Sequence, residues 1–131
     1  MSVHFMSQSV DWATPAGVYA ELDAEFRFND DPCPLYGADG GYDGLNREWG
    51  TSTFCNPPYG RVIGEWTRKA VEEAAMGKTV VLLVPSRTDT RWWHRDVMTA
   101  DEIRFVRGRL TFGDAKNTAP FPSAVVVWRK L

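Results

Sequence analysis

The sequence predicts a single α/β domain with a mainly parallel β-sheet and helices on both faces, and three observations support this. Short apolar stretches alternate with segments of helical spacing along the chain. The stretch 78–84 is rich in β-branched and apolar residues, as in a strand that is buried on both faces of a parallel sheet. Finally, 131 residues, of which 44% are hydrophobic, suffice for one core and not for two typical domains.

The first predicted helix covers residues 15–25. Thr14 is placed to cap its free N–H groups, and Pro15 suits its first turn. Apolar side chains then recur at four-residue spacing on one face: Val18, Leu22 and Phe26. A short strand over 26–30 follows, and the glycine-rich segment after it is predicted to be a loop.

A second strand is predicted over 51–55, and it ends where two consecutive prolines cannot donate to a ladder. From Gly60 the spacing becomes helical, with Gly77 as the C-terminal stop. The stretch 78–84 then forms the central strand.

The last third of the chain is predicted to contain one helix and three strands. Thr88 and Asp89 are expected to cap a helix that runs to Ala100. Strand-like stretches follow at 103–106, 110–112 and 124–128, and the last strand returns antiparallel. Residues 1–10 are expected to be flexible.

Composition excludes several classes of protein. With 15 basic and 17 acidic residues the net charge is −2, so nucleic acid is not held by bulk charge and any such contact is local. Cys33 and Cys55 are too few for a disulfide scaffold and lack zinc-site spacing, so no metal is expected. The longest apolar runs are too short for a membrane span, and no secretory signal is readable, so a cytoplasmic location is expected.

The segment Asn56-Pro57-Pro58-Tyr59 follows a predicted strand and precedes a helix, where ligands bind in α/β sheets. The lone pair of an aromatic amine is delocalised, so its hydrogens need acceptors while the nitrogen attacks a methyl group. The side-chain oxygen of Asn56 and the carbonyl of Pro57 are such acceptors, and Tyr59 offers a face for a base to stack on. The alternative is a plain strand-ending turn.

Other short segments lie in a fixed order around this one: 11–15 before the first helix, 31–33, 43–45 with Trp49, Pro85 with 89–90, 108–110 and the final strand from Ser123. In this order they resemble the phage-type DNA adenine methyltransferases of the Dam family. The resemblance implies a Rossmann-like class I methyltransferase fold, S-adenosylmethionine as the methyl donor, and transfer to the exocyclic amine of adenine in DNA.

The resemblance also implies residue roles. Thr14 and Pro15 match the segment at the methionine end of the cofactor, and Asp31, in the turn with Cys33, is expected near the cofactor's amino group. Asn56-Pro57-Pro58-Tyr59 matches the catalytic motif.

The cofactor-binding half of the sheet is expected to be trimmed, because residues 32–50 leave no room for two further crossover units. An acid for the ribose hydroxyls must then come from the loop, with Asp43 or Asp39 as the candidate. The alternative is that both side chains only solvate the loop.

No block is long enough for a separate recognition domain, so loops are expected to contact duplex DNA. Lys116 and Asn117 lie in a loop predicted near the catalytic motif, and Arg91 and Arg109 are candidates for phosphate binding. The pair Trp92 and Trp93 is expected to pack rather than to stack on bases.

The favoured hypothesis is a small, phage- or prophage-encoded DNA adenine methyltransferase that flips its target base, with protection of DNA from host nucleases as a restriction-modification setting. One alternative keeps the fold and donor but methylates an RNA base or a protein glutamine amide. Another is a DNA-binding methyltransferase relic without turnover. The sequence leaves the oligomeric state open.

Overall fold

The computed structural model of the protein describes residues 13–34, 43–112 and 118–129. These parts of the chain contain three α-helices, two short 3₁₀ helices and four strands. In chain order they are α1 (Ala16–Phe26), a 3₁₀ turn (Asp43–Asn46), β1 (Ser52–Cys55), α2 (Ile63–Ala75), β2 (Thr79–Pro85), α3 (Arg91–Arg95), a second 3₁₀ turn (Val97–Thr99), β3 (Glu102–Phe105) and β4 (Ser123–Trp128).

The four strands form one sheet in the order β1-β2-β4-β3. Strands β1 and β2 are parallel, whereas β4 is antiparallel to both of its neighbours. The prediction of a mainly parallel sheet is therefore wrong, while the antiparallel final strand is confirmed. Parallel neighbours need a crossover, usually a helix. The described residues between β3 and β4 form no helix, so β4 returns directly between β2 and β3.

The predicted strand over 26–30 is not formed. It is reduced to one parallel bridge between Asp30 and Thr53, with hydrogen bonds from Asn29 N to Ser52 O (2.8 Å) and from Phe54 N to Asp30 O (3.0 Å). The helix takes up Phe26, and Arg27 leaves it in a left-handed conformation (φ 50°). Only a few residues then remain before the turn that follows Asp30, too few for a longer ladder.

Helices cover both faces of the sheet, as expected. Arg104 of β3 binds Glu25 of α1 through two hydrogen bonds of 2.7 Å. The next residue, Phe105, stacks on Trp93 of α3 with ring centroids 6.4 Å apart. Successive strand residues point to opposite faces, so α1 and α3 lie on opposite sides. Helix α2 packs against α3 and therefore shares its side.

Two further element predictions are wrong. The last helix is only Arg91–Arg95, and its cap is Thr90, whose hydroxyl accepts from Trp93 N (3.3 Å), rather than Thr88 and Asp89. It stops at Asp96, whose buried carboxylate accepts a hydrogen bond from Thr67 Oγ1 (2.6 Å), and the second 3₁₀ turn follows. Residues 110–112 have no ladder partner in the described chain and form no strand.

A buried ion cluster supports the amino ends of β1 and β2. Glu73 of α2, 1% exposed, accepts hydrogen bonds from Lys78 Nζ (2.6 Å) and Trp49 N (3.0 Å), and it pairs with Lys69 (2.8 Å). Burial alone would raise the pKa of Glu73, but the hydrogen bonds from Lys69 and Lys78 hold it below its usual range. The cluster thus ties α2 to the loop before β1.

No helix in the described ranges has the length and apolarity that a bilayer span requires.

Candidate active site

The candidate residues converge on one edge of the sheet. Parallel strands β1 and β2 end at this edge. Strand β3 also ends there and β4 begins there, because β4 is antiparallel to both β2 and β3. Hydrogen bonds between the loops confirm this: Ser86 N donates to Pro122 O (2.9 Å), and Ala119 N donates to Leu110 O (2.8 Å). Segments far apart in sequence are thereby joined into one surface.

Asn56 connects this edge to the start of α1. Its Nδ2 donates a hydrogen bond of 3.0 Å to the hydroxyl of Thr14. Since the nitrogen is held there, the carboxamide plane is oriented and its oxygen, which is shielded from solvent, points away from Thr14. The following Pro57 and Pro58 are buried. The structure therefore brings the predicted catalytic motif and the predicted cofactor segment, Thr14 with Pro15, into direct contact.

Tyr59 is part of an aromatic cluster rather than an open stacking surface. Its side chain is 5% exposed, and its ring makes edge contacts with Phe112 and Phe121 at centroid distances of 6.4 and 5.5 Å. The hydroxyl donates to Leu83 O at 3.3 Å, and burial raises the pKa of the phenol well above its usual value. The accessible part of Tyr59 faces a cavity described below. Its stacking role stays a prediction.

Asp31 and Cys33 form a turn beside the end of β1. Asp31 Oδ1 accepts a hydrogen bond from Cys33 N (3.2 Å), and burial together with the neighbouring Asp30 raises the pKa of Asp31. The pKa of the Cys55 thiol is raised mainly by burial and further by the charges of Cys33 and Asp31. Cys33 and Asp31 therefore lie close to Cys55, the residue before Asn56. The two acidic residues differ. Asp30 is held by Arg47 (2.7 Å), whereas Asp31 has no ion-pair partner in the described chain.

The turn that begins at Asp43 packs against the turn containing Asp31. A Cβ atom added to Gly44 would lie 2.3 Å from Pro32 O, so only glycine allows this approach. Trp49 Nε1 donates to Gly44 O (2.7 Å) and holds the turn in place. The backbone of Asp43 is thus near the other predicted cofactor residues, whereas its side chain lies outside what the structure describes.

A cavity of about 390 Å³ opens beyond Tyr59, on the side of α2 and α3. This volume lies within the range of small-ligand pockets. Its walls come from three separate segments of the chain, 59–63, 85–92 and 121: Tyr59, Gly60, Ile63, Pro85, Arg87, Thr90, Trp92 and Phe121.

Comparison with protein families identifies the chain. It matches the family described as DNA N-6-adenine-methyltransferase (Dam) over residues 4–131, nearly its whole length. The chain belongs to this family. It is therefore a transferase that methylates adenine in DNA, and the family implies S-adenosylmethionine as the methyl donor. No curated protein matches the chain. Among the described residues of this Dam-family chain, no group of three or more side chains is arranged to hold a metal ion.

Two of the predicted DNA contacts of this Dam-family enzyme can be placed. Arg91 and Arg109 are exposed, and no carboxylate of the described chain lies within ion-pair distance of either. Arg91 begins α3, and Arg109 follows β3, so both belong to the loops at the edge that carries Asn56. Lys116 and Asn117 lie outside the described residues, and their contacts with DNA stay predictions.

Sequence analysis of the Dam-family chain missed two aromatic residues of the cavity. Trp92 packs against the core as expected, and its partly exposed side chain also lines the cavity, while the neighbouring Trp93 is 2% exposed. Phe121 was assigned no role. Because β2 pairs with β4, the segment after β2 lies beside the segment before β4. This pairing is not visible in a local sequence pattern.

Proposed function

We propose that this Dam-family enzyme transfers a methyl group from S-adenosylmethionine to the N6 amine of adenine at specific sites in duplex DNA. The observation that carries the proposal is the hydrogen bond between Asn56 and Thr14. It joins the segment suited to hold an aromatic amine to the segment expected at the methyl donor. A transfer reaction needs these two parts to be held in one geometry.

Asn56 and Pro57 can activate the amine without a strong base. The carboxamide oxygen of Asn56 and the carbonyl oxygen of Pro57 accept the two amine hydrogens, which favours a pyramidal nitrogen with a localised lone pair. Positive charge develops on that nitrogen during the attack, and an acceptor that is oriented before the reaction begins stabilises it. Thr14 contributes by fixing the plane of the Asn56 carboxamide.

The residues beside the motif fit the methyl donor. When bound, S-adenosylmethionine supplies an electrophilic methyl group on a sulfonium. Asp31 carries a partly buried carboxylate next to Asp30. The cationic ammonium group of the donor would stabilise the charged form of this carboxylate. The Thr14 hydroxyl is close by, at Asn56. Asp43 and Cys33 lie on two turns that pack against each other, and Pro15 directly follows Thr14.

Duplex DNA requires that the target adenine leave the base stack. An amine inside the stack cannot reach Asn56 and the donor in line, and extrusion costs a few kcal/mol. Arg91 and Arg109, which are exposed, are proposed to hold phosphates, and Lys116 and Asn117 are proposed to assist from their loop. The resemblance to phage-type enzymes supports a phage or prophage setting in which the modification protects DNA.

The test uses purified protein, labelled S-adenosylmethionine and unmethylated duplex DNA, with the product nucleosides separated. Wild type and Glu72→Ala are expected to form N6-methyladenine. Glu72 is a control because it is an exposed residue of α2, outside the motif and outside the turns proposed for the donor. Asn56→Ala is expected to lose transfer by about 100-fold or more. Equal product from Asn56→Ala and wild type would contradict the proposed role of Asn56.

The alternatives are separated by changing the acceptor. RNA and a glutamine-containing protein replace DNA in parallel reactions, and transfer to either in preference to DNA would favour that acceptor. Calorimetry tests the relic hypothesis: tight DNA binding without any binding of S-adenosylmethionine would support a module that has no turnover.

A further inference from the structure

Arg47 connects the two turns that are proposed to hold the methyl donor. It directly follows the 3₁₀ turn Asp43–Asn46, and its guanidinium donates two parallel hydrogen bonds to the carboxylate of Asp30, from Nη1 to Oδ2 (2.7 Å) and from Nη2 to Oδ1 (2.9 Å). Nη1 also donates to Glu48 O (3.1 Å), so the guanidinium is held by its own loop as well. Bidentate pairs of this kind fix the orientation of both partners.

The carboxylate of Asp30 is ionised and compensated. Besides the two bonds from Arg47, its Oδ2 accepts a hydrogen bond from Gly50 N (2.9 Å), and its side chain is 16% exposed. Burial alone would raise the pKa of Asp30, but the hydrogen bonds from Arg47 and Gly50 hold it below its usual value. Asp30 therefore keeps its negative charge at neutral pH, and Arg47 is the cation that neutralises it.

The next residue, Asp31, has no such cation among the described residues. The titratable and charged side chains around it come from its own turn, the loop before β1, α1 and β1: Asp30, Cys33, Arg47, Tyr19 and Cys55. Burial and nearby carboxylates raise the pKa values of Tyr19 and Cys55, so both are neutral at pH 7. The pKa of Asp31 itself is raised most by burial, raised further by Asp30 and lowered by Arg47. Asp30 and Arg47 thus act on Asp31 in opposite directions.

We propose that Arg47 is a positioning residue of the donor site, which neutralises Asp30 and so leaves Asp31 as the one charged carboxylate of the turn that is open to the ammonium group of S-adenosylmethionine. The inference rests on the proposed function, because it assumes that Asp31 receives this group. Without Arg47, the uncompensated charge of Asp30 would favour protonation of Asp31. A protonated Asp31 no longer attracts a cation. Arg47 therefore acts through Asp31 and needs no contact with the donor.

The first experiment measures the dissociation constant of S-adenosylmethionine by calorimetry across pH in wild type, Arg47→Gln, Asp30→Asn and the double variant. The readout is the pH at which donor affinity has fallen to half of its high-pH value. We expect this midpoint to rise by about 0.5 to 1 pH unit in Arg47→Gln, the effect of one uncompensated charge at several ångströms. It should fall in Asp30→Asn, and it should return close to wild type in the double variant, where both charges are gone.

This set of variants separates an effect of charge from a change in loop position. If Arg47 only held its loop in place, the double variant would be as impaired as Arg47→Gln, since both lack the bidentate pair. A double variant with the midpoint of Arg47→Gln would overturn the inference, and so would an Arg47→Gln protein with the midpoint of wild type. Thermal unfolding of each variant checks that it is folded.

Two further variants test whether the charge must be at this position. Arg47→Lys keeps the cation without the planar fork and should have a midpoint close to wild type. Arg107→Gln is the matched control, because it removes an exposed arginine that follows β3, at the opposite edge of the sheet from β1. It should keep the wild-type midpoint. Equal midpoints in Arg107→Gln and Arg47→Gln would contradict a specific role of Arg47.

A titration without donor distinguishes failure of the inference from failure of the proposed function. The carboxyl carbon of Asp31 is followed by NMR across pH, and its signal is assigned by its absence in Asp31→Asn. We expect Asp31 to protonate at the highest pH in Arg47→Gln and at the lowest in Asp30→Asn. If wild type binds no S-adenosylmethionine, the proposed function fails together with the inference. If donor binding depends on Asp31 but Arg47→Gln leaves the titration of Asp31 unchanged, only the inference fails.

Discussion

The Asn56 amide nitrogen and the Thr14 hydroxyl lie 3.0 Å apart, although 42 residues separate them in the chain. The bond fixes the rotation of the carboxamide at the end of β1. It also links that strand end to the residue just before α1. Any change in the position of α1 is therefore transmitted to the group that is proposed to accept the amine hydrogens.

Thr14→Val should lower the rate of transfer while the protein stays folded. Valine has the same shape but offers no acceptor to Asn56, so the carboxamide can rotate away from its reactive orientation. We expect kcat to fall about 10- to 100-fold with little change in the KM for DNA. Thr14→Ser keeps the hydroxyl and should recover most of the rate. A Thr14→Val enzyme with the kcat of wild type would show that this bond does not orient Asn56.

Asp31→Asn should weaken the binding of S-adenosylmethionine, because it removes the carboxylate proposed for the ammonium group. We expect the dissociation constant from calorimetry to rise about 10- to 100-fold, as for the loss of a hydrogen bond to a charged group. Glu21→Gln, on the exposed face of α1, is the control for a simple charge change. Unchanged affinity in Asp31→Asn would exclude Asp31 from the cofactor site.

The same site should be sensitive to acidic pH. Burial and the nearby Asp30 raise the pKa of Asp31, so its carboxylate becomes protonated at a higher pH than an ordinary aspartate. Donor affinity should therefore decrease as the pH falls through the raised pKa of Asp31. The Asp31→Asn variant should lack this dependence.

Tyr59→Phe should leave methylation largely intact and reduce stability slightly. The hydroxyl donates to Leu83 O inside the protein, away from the cavity, so its loss affects the fold rather than the reaction. The free energy of unfolding should fall by about 1 kcal/mol in a urea titration. A large loss of kcat in a folded Tyr59→Phe protein would instead indicate a chemical role for the hydroxyl.

Lys78→Met should destabilise the protein by about 3–5 kcal/mol, because it removes a cation from the buried carboxylate of Glu73. Lys78→Met combined with Glu73→Leu should recover part of this loss, since the buried carboxylate that lost its partner is then removed as well. Both values follow from urea unfolding. A single variant as stable as wild type would show that Lys69 alone suffices to compensate Glu73.

Glu25→Gln tests the ion pairs on the other face of the sheet. Hydrogen bonds from Arg104 and, to a smaller extent, Arg129 lower the pKa of Glu25 to about 2 from the model-peptide value of 4.5. The pairs therefore contribute stability above about pH 4.5, and this contribution is lost as the pH falls toward 2. Because Glu25 is exposed, we expect a difference below about 1 kcal/mol at pH 7 that shrinks below pH 4.5 and in high salt. A difference independent of pH would contradict this assignment.

Local patterns predicted most of the elements. The bounds of α1, β1, α2 and β2 agree with the structure within a few residues, since each has its own periodicity and its own start or stop signal. Gly77, for example, lies just after α2 and has a positive φ of 89°, which is typical of a glycine that follows the end of a helix. Strand direction was not predictable in this way. The direction of neighbouring strands depends on the position of β4 in the sheet, and β4 pairs with residues of β2 that are about 40 positions away in the sequence.

The part of the candidate site that lies in one continuous segment could be predicted from the sequence. Asn56-Pro57-Pro58-Tyr59 has an unusual composition at a strand end, and its partner Thr14 was suggested by the order of motifs. Trp92 and Phe121 could not be found from the sequence, because aromatic residues before or after buried strands are most often core residues. Their place in the cavity wall depends on how the segments around β2 and β4 pack together.

The pair of Glu73 and Lys78 lies at the amino ends of β1 and β2, whereas Asn56, Arg91 and Arg109 follow the carboxyl ends of the strands. The seven residues of β2 alone separate the two ends by about 20 Å. Substitutions at such distances usually act independently on stability. The loops that are proposed to recognise DNA are thereby free to diversify, and new target sequences can be selected in them without renewed selection for a folded scaffold.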